Sequence, residues 1–464
     1  MEMPAQSTVP HNMIGGKSRR RFLASATAMA AGCWVAPRFA IGRSGPSANS
    51  RINLACIGVG GRGALNVQGL AQENIVALCD VDQENSAGSF KAHPKARRFR
   101  DFREMLDKMG GEIDAVVVST PDHTHFAATM AAMELGKHVL CEKPLAHTVW
   151  EVRTMKKAAR HYQIVSQMGN QGHATEGIRY VKEWVDAGVL GKVTAVDAWL
   201  NGINFNSRFF RKPDVFPPPA LPVPAHFDWD LWLGPCDGEI AYNPIYHPRT
   251  WRGFYGFGSG LLGDWSCHTL DAPFWALGLG MPAVVEREHQ TGGSADFAPD
   301  ASTVRFEFPA RGDRPPVVLR WHEGEPKPQV RESWGLRELG GEGMILTGDK
   351  ACLMTGGRPD SPRLIPEATW QDFRRNLPPK TIPRIKGGHY REWTDAIRGD
   401  GPEPGSNFDY GADLTEVALL GVLAQRFGGR IEYDAAAMRI TNRPELNAHL
   451  RRPARDGWRY GESL

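Results

Sequence analysis

The chain has 464 residues, with 55 lysine and arginine residues against 52 aspartate and glutamate residues, and 41% of its residues are hydrophobic. This length and apolar content suffice for two domains with real cores, and they exclude a disordered chain. The charge is near balance and no basic stripe is interleaved with aromatic residues, which argues against nucleic acid as a partner.

The first 50 residues have the pattern of an export signal. Arg19-Arg20 is followed by an uncharged stretch from Leu23 to Ala36 that is rich in alanine and other small residues. The stretch has the length of a signal h-region and is too short to span a bilayer. We therefore expect residues 1–50 to be a twin-arginine signal and linker that engages the Tat export machinery, which makes the protein periplasmic. The alternative is a disordered basic tail.

The seven cysteines are odd in number and are scattered without the spacing of a metal site. Cys56 and Cys79 lie in apolar strand patterns, so we expect buried small residues, with neither a disulfide framework nor a bound metal. Cys33 is a separate case, because Ala30-Ala31-Gly32-Cys33 resembles a lipoprotein cleavage site except that Ala30 stands where a branched apolar residue is usual. Membrane anchoring therefore stays open.

A dinucleotide-binding turn is predicted where residues 51–57, a short apolar run, meet a segment of helical character at residues 64–70. The residues between them are Gly58-Val59-Gly60-Gly61-Arg62-Gly63. In such a unit Gly58 permits the tight turn, Gly60 lets the backbone approach a pyrophosphate, and Gly63 lets helix and strand pack closely.

The next strand supports this interpretation. Residues 75–79 are apolar and lead into Asp80, at the position where a carboxylate grips the adenosine ribose hydroxyls. Asp80 and Asp82 together would repel a 2′-phosphate, and no arginine follows immediately, so NAD is favoured over NADP. The alternative is that Asp80 is a simple turn residue.

Two polar clusters follow the third and fourth predicted strands, residues 115–119 and 138–141. Their sequences are Thr120-Pro121-Asp122-His123-Thr124-His125 and Glu142-Lys143-Pro144. Open α/β sheets place ligands at the carboxyl ends of parallel strands, where both clusters fall. Lys143, fixed by the following proline, would touch the nicotinamide side and a substrate hydroxyl, whose pKa its charge lowers. The alternative is a solvated loop lysine.

Together these motifs resemble the glucose-fructose oxidoreductase, inositol dehydrogenase and rhizopine-catabolism family (Gfo/Idh/MocA), over nearly all of the mature chain. The resemblance implies an α/β protein with an N-terminal Rossmann domain, here residues 51–172, and a C-terminal α/β domain with a large open, mostly antiparallel sheet, here residues 173–464. It implies an NAD-dependent enzyme that acts on sugars or polyols and forms dimers or tetramers. The lysine of the Glu-Lys-Pro motif is catalytic in the family, which carries over to Lys143.

The family also has an aspartate and a histidine three or four residues apart in the second domain, and Asp264 and His268 match them here. Positions i and i+4 of a helix share a face, so both side chains can point at one substrate, and His268 becomes the candidate general base. The cofactor-binding residues that the motifs imply are Gly58, Gly60, Gly61, Arg62, Gly63, Asp80, Thr120, Pro121, His125, Glu142 and Lys143.

Three segments of the second domain, residues 193–200, 303–308 and 317–321, have strand-like apolar content. Residues 212–227 hold six prolines, so they cannot form an ordinary helix or central strand, and we expect a stiff arm or rim over the site, or a subunit contact. A helix from about Asp409 to Phe427 should pack back on the rest. Aromatic residues that either line a sugar pocket or pack the core are Phe227, Trp229, Trp232, Tyr242, Tyr246, Trp251, Phe254, Tyr255 and Phe257.

His173 follows the fifth predicted strand of the cofactor domain. With Glu176 and Tyr180 it falls at i, i+3 and i+7 of the helix expected to start there, which would place all three on one face near the domain junction. His173 is either a substrate or nicotinamide contact or a residue of the helix start. The segment Tyr246-His247-Pro248-Arg249 either supplies a second acid or base or contains a structural arginine, Arg249.

The chain combines a predicted export signal with a dinucleotide-binding turn, and this combination limits the reactions that it can catalyse. A dehydrogenase that releases its reduced cofactor would stall outside the cytoplasm, whereas one that takes a hydride from a sugar carbon and later returns it needs no cofactor pool. We expect an exported, NAD-retaining sugar oxidoreductase whose internal redox cycle serves glycosidic cleavage or sugar-to-sugar transfer. Lys143 and His268 would manage the first proton and hydride, and His173, Tyr246 or Tyr255 the C–H step.

Two alternatives remain. One is an ordinary NAD-dependent sugar or polyol dehydrogenase. The other is a non-catalytic carbohydrate-binding protein, against which the presence of Lys143, Asp264 and His268 speaks.

Overall fold

The computed structural model describes residues 51–201 and 211–464. The predicted twin-arginine signal and Cys33 lie outside these residues. Among the helices of the described residues, none combines the length and the apolarity needed to cross a membrane.

The first sheet has six parallel strands in the order β3-β2-β1-β4-β5-β6. The strands are β1 Asn53–Ile57, β2 Asn74–Cys79, β3 Arg97–Phe99, β4 Ala115–Val118, β5 His138–Cys141 and β6 Ser166–Met168. The sheet is of the Rossmann type, as predicted, and the chain order reverses between β1 and β4. Open sheets of this type bind ligands at the carboxyl ends of the strands beside that reversal.

The helices of this domain lie on both faces of the sheet, which explains why its central strands are apolar throughout. They are α1 Gly61–Gly69, α2 Ala87–Ala92, α3 Phe102–Met109, α4 Asp122–Glu134 and α5 Val149–His161. The strand β3 is absent from the sequence prediction, so the strands predicted as third, fourth and fifth are in fact β4, β5 and β6. Two of the three residues of β3 are exposed arginines, so the strand carries no apolar run and forms through its pairing with β2.

The second sheet has nine strands in the order β13-β12-β11-β7-β10-β9-β8-β14-β15. Only β7 and β10 pair in parallel among these neighbours, so the predicted large, mostly antiparallel sheet is confirmed. The three segments predicted as strands are β7, β9 and β10. The strands are β7 Val193–Leu200, β8 Val284–Thr291, β9 Ala301–Phe308, β10 Val317–Glu323, β11 Glu342–Gly348, β12 Cys352–Thr355, β13 Arg363–Ile365, β14 Arg430–Asp434 and β15 Arg439–Ile440.

The helices that follow the first domain are α6 Glu176–Asp186, α7 Trp229–Leu233, α8 Gly260–Thr269, α9 Asp271–Leu277, α10 Glu367–Phe373, α11 Gly388–Arg398 and α12 Phe408–Phe427. The predicted long C-terminal helix is α12, and it packs against α5 and α8. A bidentate ion pair fixes it to α5, with 2.7 Å between Arg153 Nε and Glu416 Oε2. The prediction that this helix packs back on the rest is confirmed.

The helix α11 contributes to the core of the first domain although it comes late in the chain. Trp393 is fully buried against Leu54 and Val117 of the Rossmann sheet. The Tyr390 hydroxyl donates to Asn66 Oδ1 of α1 at 2.6 Å. Residues 388–398 therefore complete the first domain, whereas the linear division expected from the sequence assigns them to the second.

The proline-rich residues 211–228, here named the strap, form no regular helix or strand. At its end the strap pairs with the segment that follows β2: Gln83 N donates to His226 O at 3.1 Å, and Asp228 N donates to Val81 O at 3.0 Å. The strap therefore crosses the carboxyl end of β2, which is the edge predicted for adenosine binding.

Six cysteines lie in the described part of the chain, and all six are buried and free of disulfides, as expected from their apolar surroundings. They are Cys56, Cys79, Cys141, Cys236, Cys267 and Cys352.

Candidate active site

A cavity of about 510 Å³ opens at the carboxyl ends of the Rossmann strands, and residues of both domains line it. Its size suits a small-molecule site. The predicted site residues that line it are Gly58, Gly60, Gly61, Arg62, Asp80, Thr120, Pro121, His125, Glu142, Lys143, Asp264 and His268.

The glycine turn is packed tightly on one side and open on the other. Gly58 has φ of +74°, and a Cβ on Gly63 would lie 1.7 Å from Gly58 O, so the predicted roles of both residues agree with the geometry. A Cβ on Gly60 would lie 2.1 Å from Asn85 Nδ2, whereas one on Gly61 would meet nothing within 4 Å. A ligand can therefore approach the first turn of α1 at Gly61. At Gly60 a side chain is excluded by contact with Asn85.

A buried carboxylate at the end of β5, Glu142, braces this turn. Arg62 Nε and Asn66 Nδ2 donate to Glu142 Oε1 at 2.7 and 2.9 Å. Burial alone would raise the pKa of Glu142, but the charges of Arg62 and Lys143 outweigh it and lower the pKa. Arg62 Nη2 and Thr120 Oγ1 are buried and have no hydrogen-bond partner among the described residues. Both residues line the cavity.

Asp80 is held at the end of β2 by main-chain amides. Its Oδ2 accepts hydrogen bonds from Val59 N at 2.7 Å and from Gly60 N at 3.1 Å. Asp82, in contrast, does not line the cavity, because its Oδ2 is bound to His247 Nε2 at 2.7 Å. Of the two carboxylates, Asp80 is thus the one that lines the cavity, and Asp82 ties the β2 edge to the second domain.

These features fit NAD. The first turn of α1 is open at Gly61 and suits a pyrophosphate, Arg62 Nη2 has no partner in the described part of the chain, and the Asp80 carboxylate lies at the strand end where a ribose would be held.

The residues predicted to be catalytic meet across the two domains. The Lys143 Nζ donates to Asp264 Oδ1 at 2.8 Å and also to the Asp264 main-chain oxygen. Arg252 Nε lies 3.4 Å from the same carboxylate oxygen. Burial tends to raise the pKa of Asp264, but these two cations outweigh it and hold the pKa below its ordinary value. Asp264 therefore stays ionised and fixes the lysine ammonium in the cavity.

His268 lies one turn after Asp264 on α8, as predicted, and its tautomer follows from its partner. Asn170 Nδ2 donates to Cys267 O at 2.9 Å, which turns Asn170 Oδ1 toward His268 Nδ1, also at 2.9 Å. The Nδ1 atom must then carry the proton, and Nε2 is left as an acceptor. Burial lowers the pKa of His268 well below its ordinary value, and the charge of Lys143 acts in the same direction. The His268 ring is therefore neutral, with Nε2 as a hydrogen-bond acceptor.

Two further groups of the Thr120–His125 motif have distinct roles. The His125 ring nitrogens lie 2.9 Å from Pro144 O and 2.8 Å from Thr120 O, so the ring braces the two polar clusters against each other. Asp122 Oδ2 accepts from Ser259 Oγ at 2.6 Å, and burial raises the pKa of Asp122 to about 7. Asp122 lines the cavity and is suited to exchange protons near neutral pH.

His173 is not part of the cavity wall. Its Nδ1 lies 2.8 Å from Asp271 Oδ1, and its ring packs between Trp275 and Tyr410. The predicted common face with Glu176 and Tyr180 does not exist, because His173 belongs to a 3₁₀ turn and α6 begins only at Glu176. The α-helical spacing used in the prediction does not hold across the 3₁₀ turn at residues 171–174.

Tyr246 and Tyr255 also lie away from the cavity. Burial raises the pKa of Tyr246 to about 12 and raises that of Tyr255 further, and the Tyr255 hydroxyl lies 3.4 Å from Gln425 Oε1. Of the predicted aromatic cluster only Trp232 and Trp251 line the cavity. Most of these aromatic residues therefore pack the protein core and do not line the cavity.

Some lining residues are named in the sequence only as members of a motif, or not at all: Asp122, Arg252, Trp265 and Arg358. Asn170 is fully buried and does not line the cavity, but it contacts His268. It lies just after β6, so the rule that placed the two polar clusters would also have found it. No local pattern marks Arg358, which lies in the loop after β12.

The fold and the site define a two-domain oxidoreductase with an NAD-binding domain. Residues 52–170 match the oxidoreductase family with an NAD-binding Rossmann fold (GFO_IDH_MocA), and residues 174–292 match the C-terminal alpha/beta domain of that family. The two regions together cover just over half of the chain, and the chain belongs to this family.

Two curated relatives show the range of the family. Inositol 2-dehydrogenase 1 of Saccharopolyspora erythraea is 33% identical over 208 residues, which are 43% of this chain and 58% of that protein. A glycosyl hydrolase family 109 protein of Stenotrophomonas maltophilia is 27% identical over 219 residues, 42% of this chain and 45% of that protein. The chain spans about half the length of these relatives.

Among solved structures, the WlbA dehydrogenase of Bordetella pertussis, crystallised with NADH and UDP-GlcNAcA, is similar with a TM-score of 0.57. The superposition covers 83% of this chain and 99% of that chain at 19% sequence identity. It shows that the two share a fold.

Proposed function

We propose that this chain is an exported, NAD-dependent oxidoreductase that acts on a sugar or sugar derivative and retains its NAD through a redox-neutral turnover. The observation that carries the proposal is the meeting of Lys143, Asp264 and His268 in one cavity with the open glycine turn, with 2.8 Å between Lys143 Nζ and Asp264 Oδ1. The dehydrogenase and glycosyl hydrolase relatives support a sugar or polyol as the substrate.

The side chains divide the chemistry of alcohol oxidation between them. His268 accepts the hydroxyl proton at Nε2, because Asn170 keeps the proton of the neutral ring on Nδ1. The ammonium of Lys143, held by Asp264, stabilises the negative charge that develops on the sugar oxygen. When bound, NAD supplies reversible hydride transfer.

In a redox-neutral cycle, oxidation of the sugar enables cleavage of the glycosidic bond. A ketone acidifies the neighbouring C–H bond, so that a glycosidic substituent one carbon further can leave. Asp122 lines the cavity, and with a pKa of about 7 it suits the removal of the C–H proton better than His173, Tyr246 or Tyr255, which lie elsewhere. The departing oxygen leaves as an alcohol on regaining a proton, water adds to the alkene, and reduction of the ketone completes hydrolysis.

The strap supports the retention of NAD. Its pairing with residues 81–83, together with the 2.7 Å contact between His247 and Asp82, fixes the segment next to Asp80, where the ribose would be held. The twin-arginine pattern at Arg19-Arg20 supports it independently, because that route carries proteins already folded with cofactor bound.

Retention is tested by heating the purified mature protein and assaying the supernatant for NAD. We expect close to one NAD per chain after extensive dialysis. A protein without NAD that turns over only with added NAD, and that forms one NADH per sugar oxidised, would instead be an ordinary dehydrogenase.

The cycle is tested with aryl glycosides and no added acceptor. We expect cleavage by the NAD-loaded protein, and we expect Lys143→Ala and His268→Ala to abolish it while NAD stays bound. Lys157→Ala, at an exposed site of α5, is the matched control. Cleavage that survives removal of NAD would point to paired carboxylates and refute the cycle.

A further inference from the structure

Arg358 stands at the catalytic end of the cavity. It belongs to the loop after β12 and lines the cavity, and its guanidinium carbon lies 4.6 Å from the centre of the Trp265 ring. The same indole meets His268 in a T-shaped contact, with 5.5 Å between the ring centres. A single aromatic ring therefore separates Arg358 from the predicted general base.

The charges at this end of the cavity do not balance. Arg62 is paired with Glu142, Lys143 and Arg252 both face Asp264, and Asp122 is the remaining carboxyl group nearby. Even with all three carboxyl groups ionised, the four cations, Arg358 included, leave one positive charge. Arg358 is the unmatched cation, since its guanidinium forms no ion pair or hydrogen bond in the described part of the chain.

The wall beside Arg358 offers neutral hydrogen-bonding groups. Trp265 Nε1 and Gln171 Oε1 are buried, line the cavity and have no partner among residues 51–201 and 211–464. One donor and one acceptor of this kind suit the hydroxyl groups of a sugar ring. A guanidinium suits an anion, because its planar fork binds the two oxygens of a carboxylate or phosphate.

We propose that the substrate is a sugar with an anionic substituent, a carboxylate or a phosphate, which Arg358 binds while Trp265 and Gln171 bind ring hydroxyls. This inference rests on the proposed function, because it names the substrate class of that same site. It makes Arg358 a specificity-determining residue and assigns it no part in the proton transfers.

The test compares matched sugars on the NAD-loaded protein. Methyl glucoside, methyl glucuronide and glucose 6-phosphate, with the corresponding galactose series, are mixed with the protein, and reduction of the bound cofactor is followed by its absorbance. We expect the acidic members to react with a kcat/KM about 10- to 100-fold above that of the neutral ones, the range for a hydrogen bond to a charged group. The better of the uronate and phosphate arms identifies the anion.

Variants of Arg358 make the comparison specific. Arg358→Met should remove the preference, so that acidic and neutral sugars react with similar kcat/KM, while Arg358→Lys should keep part of the preference. Arg374→Met is the matched control, since Arg374 also stacks on a tryptophan, Trp370, but lies outside the cavity. The NAD content of each variant reports its folding.

The outcomes distinguish failure of the substrate-class inference from failure of the proposed function. If neutral sugars react as well as their acidic counterparts, or if Arg358→Met slows both equally, the inference fails and the proposed function stands. If no sugar of either series reduces the bound cofactor, the proposed function fails and the inference falls with it.

Discussion

Asn170 decides which nitrogen of His268 carries the proton. Its amide nitrogen is committed to the Cys267 carbonyl, so its oxygen has to accept from His268 Nδ1. Without this contact the neutral imidazole would be free to place its proton on Nε2, where it would block acceptance of a hydroxyl proton. A buried amide that touches no substrate thereby sets the direction of proton transfer.

Replacement of Asn170 should change the pH profile. In Asn170→Asp a carboxylate faces His268, stabilises the imidazolium and raises the pKa of His268. The base must be neutral to act, so the acid limb of the kcat profile should move to higher pH. Asn170→Ala should lower kcat about tenfold, or about 1.4 kcal/mol, with little effect on KM.

The measurement is kcat against pH with an aryl glycoside, and the exposed Asn376→Asp controls for added negative charge. An Asn170→Asp variant that still holds NAD and changes neither the acid limb nor kcat would contradict the proposed role of Asn170.

At the scale of single residues, the sequence identified the groups that local spacing brings together. Asp264 and His268 lie one helical turn apart, so their common face follows from the periodicity of α8. Arg358 reaches the cavity only because β12 packs in the second sheet, and no local signal encodes that approach. His173 shows the opposite error, since helical spacing was extended through a turn that is not α-helical.

At the scale of elements, apolar runs predicted the long central strands, and long-range packing decided the rest. The edge strand β3 pairs with β2 without an apolar run of its own. The helix α11 enters the first domain from far along the chain, and Trp393 fills that core. A linear division of the sequence cannot detect an element that returns to an earlier domain.

The strap is the element from which we expect an effect on cofactor exchange. Asp82 is bound by His247, while the adjacent Asp80 faces the cavity. His247 also stacks on Phe227 of the strap, with 4.5 Å between the ring centres. Loss of the His247–Asp82 hydrogen bond in His247→Ala or Asp82→Asn should therefore loosen the strap and speed NAD loss roughly tenfold, the effect of one hydrogen bond to a charged group.

NAD loss is measured as the half-time for release into an excess of a trapping enzyme. His161→Ala, at an exposed histidine of α5, should release NAD at the wild-type rate. Equal half-times for all four proteins would mean that the strap does not hold the cofactor.

At the scale of the whole molecule, the site is divided between domains that each lack part of it. Lys143 comes from the first sheet, whereas Asp264 and His268 come from α8, and the contact of Lys143 Nζ with Asp264 Oδ1 joins them. NAD held in such a site has to be loaded where the nucleotide is available, after both domains have folded. An exported form of this chain would therefore cross the membrane folded.

Export can be separated from folding by changing the twin arginines alone. Replacement of Arg19 and Arg20 by lysines conserves charge but removes the guanidinium groups, which lysine does not replace. We expect the variant to remain in the cytoplasm, fully loaded with NAD, while the wild type and the control Arg21→Lys reach the periplasm with the same NAD content. Cell fractionation followed by heat release of NAD from each fraction measures both quantities. A periplasmic wild type without NAD would contradict retention, and a cytoplasmic wild type would remove the need for a self-contained redox cycle, because a shared NAD pool would then serve the same site.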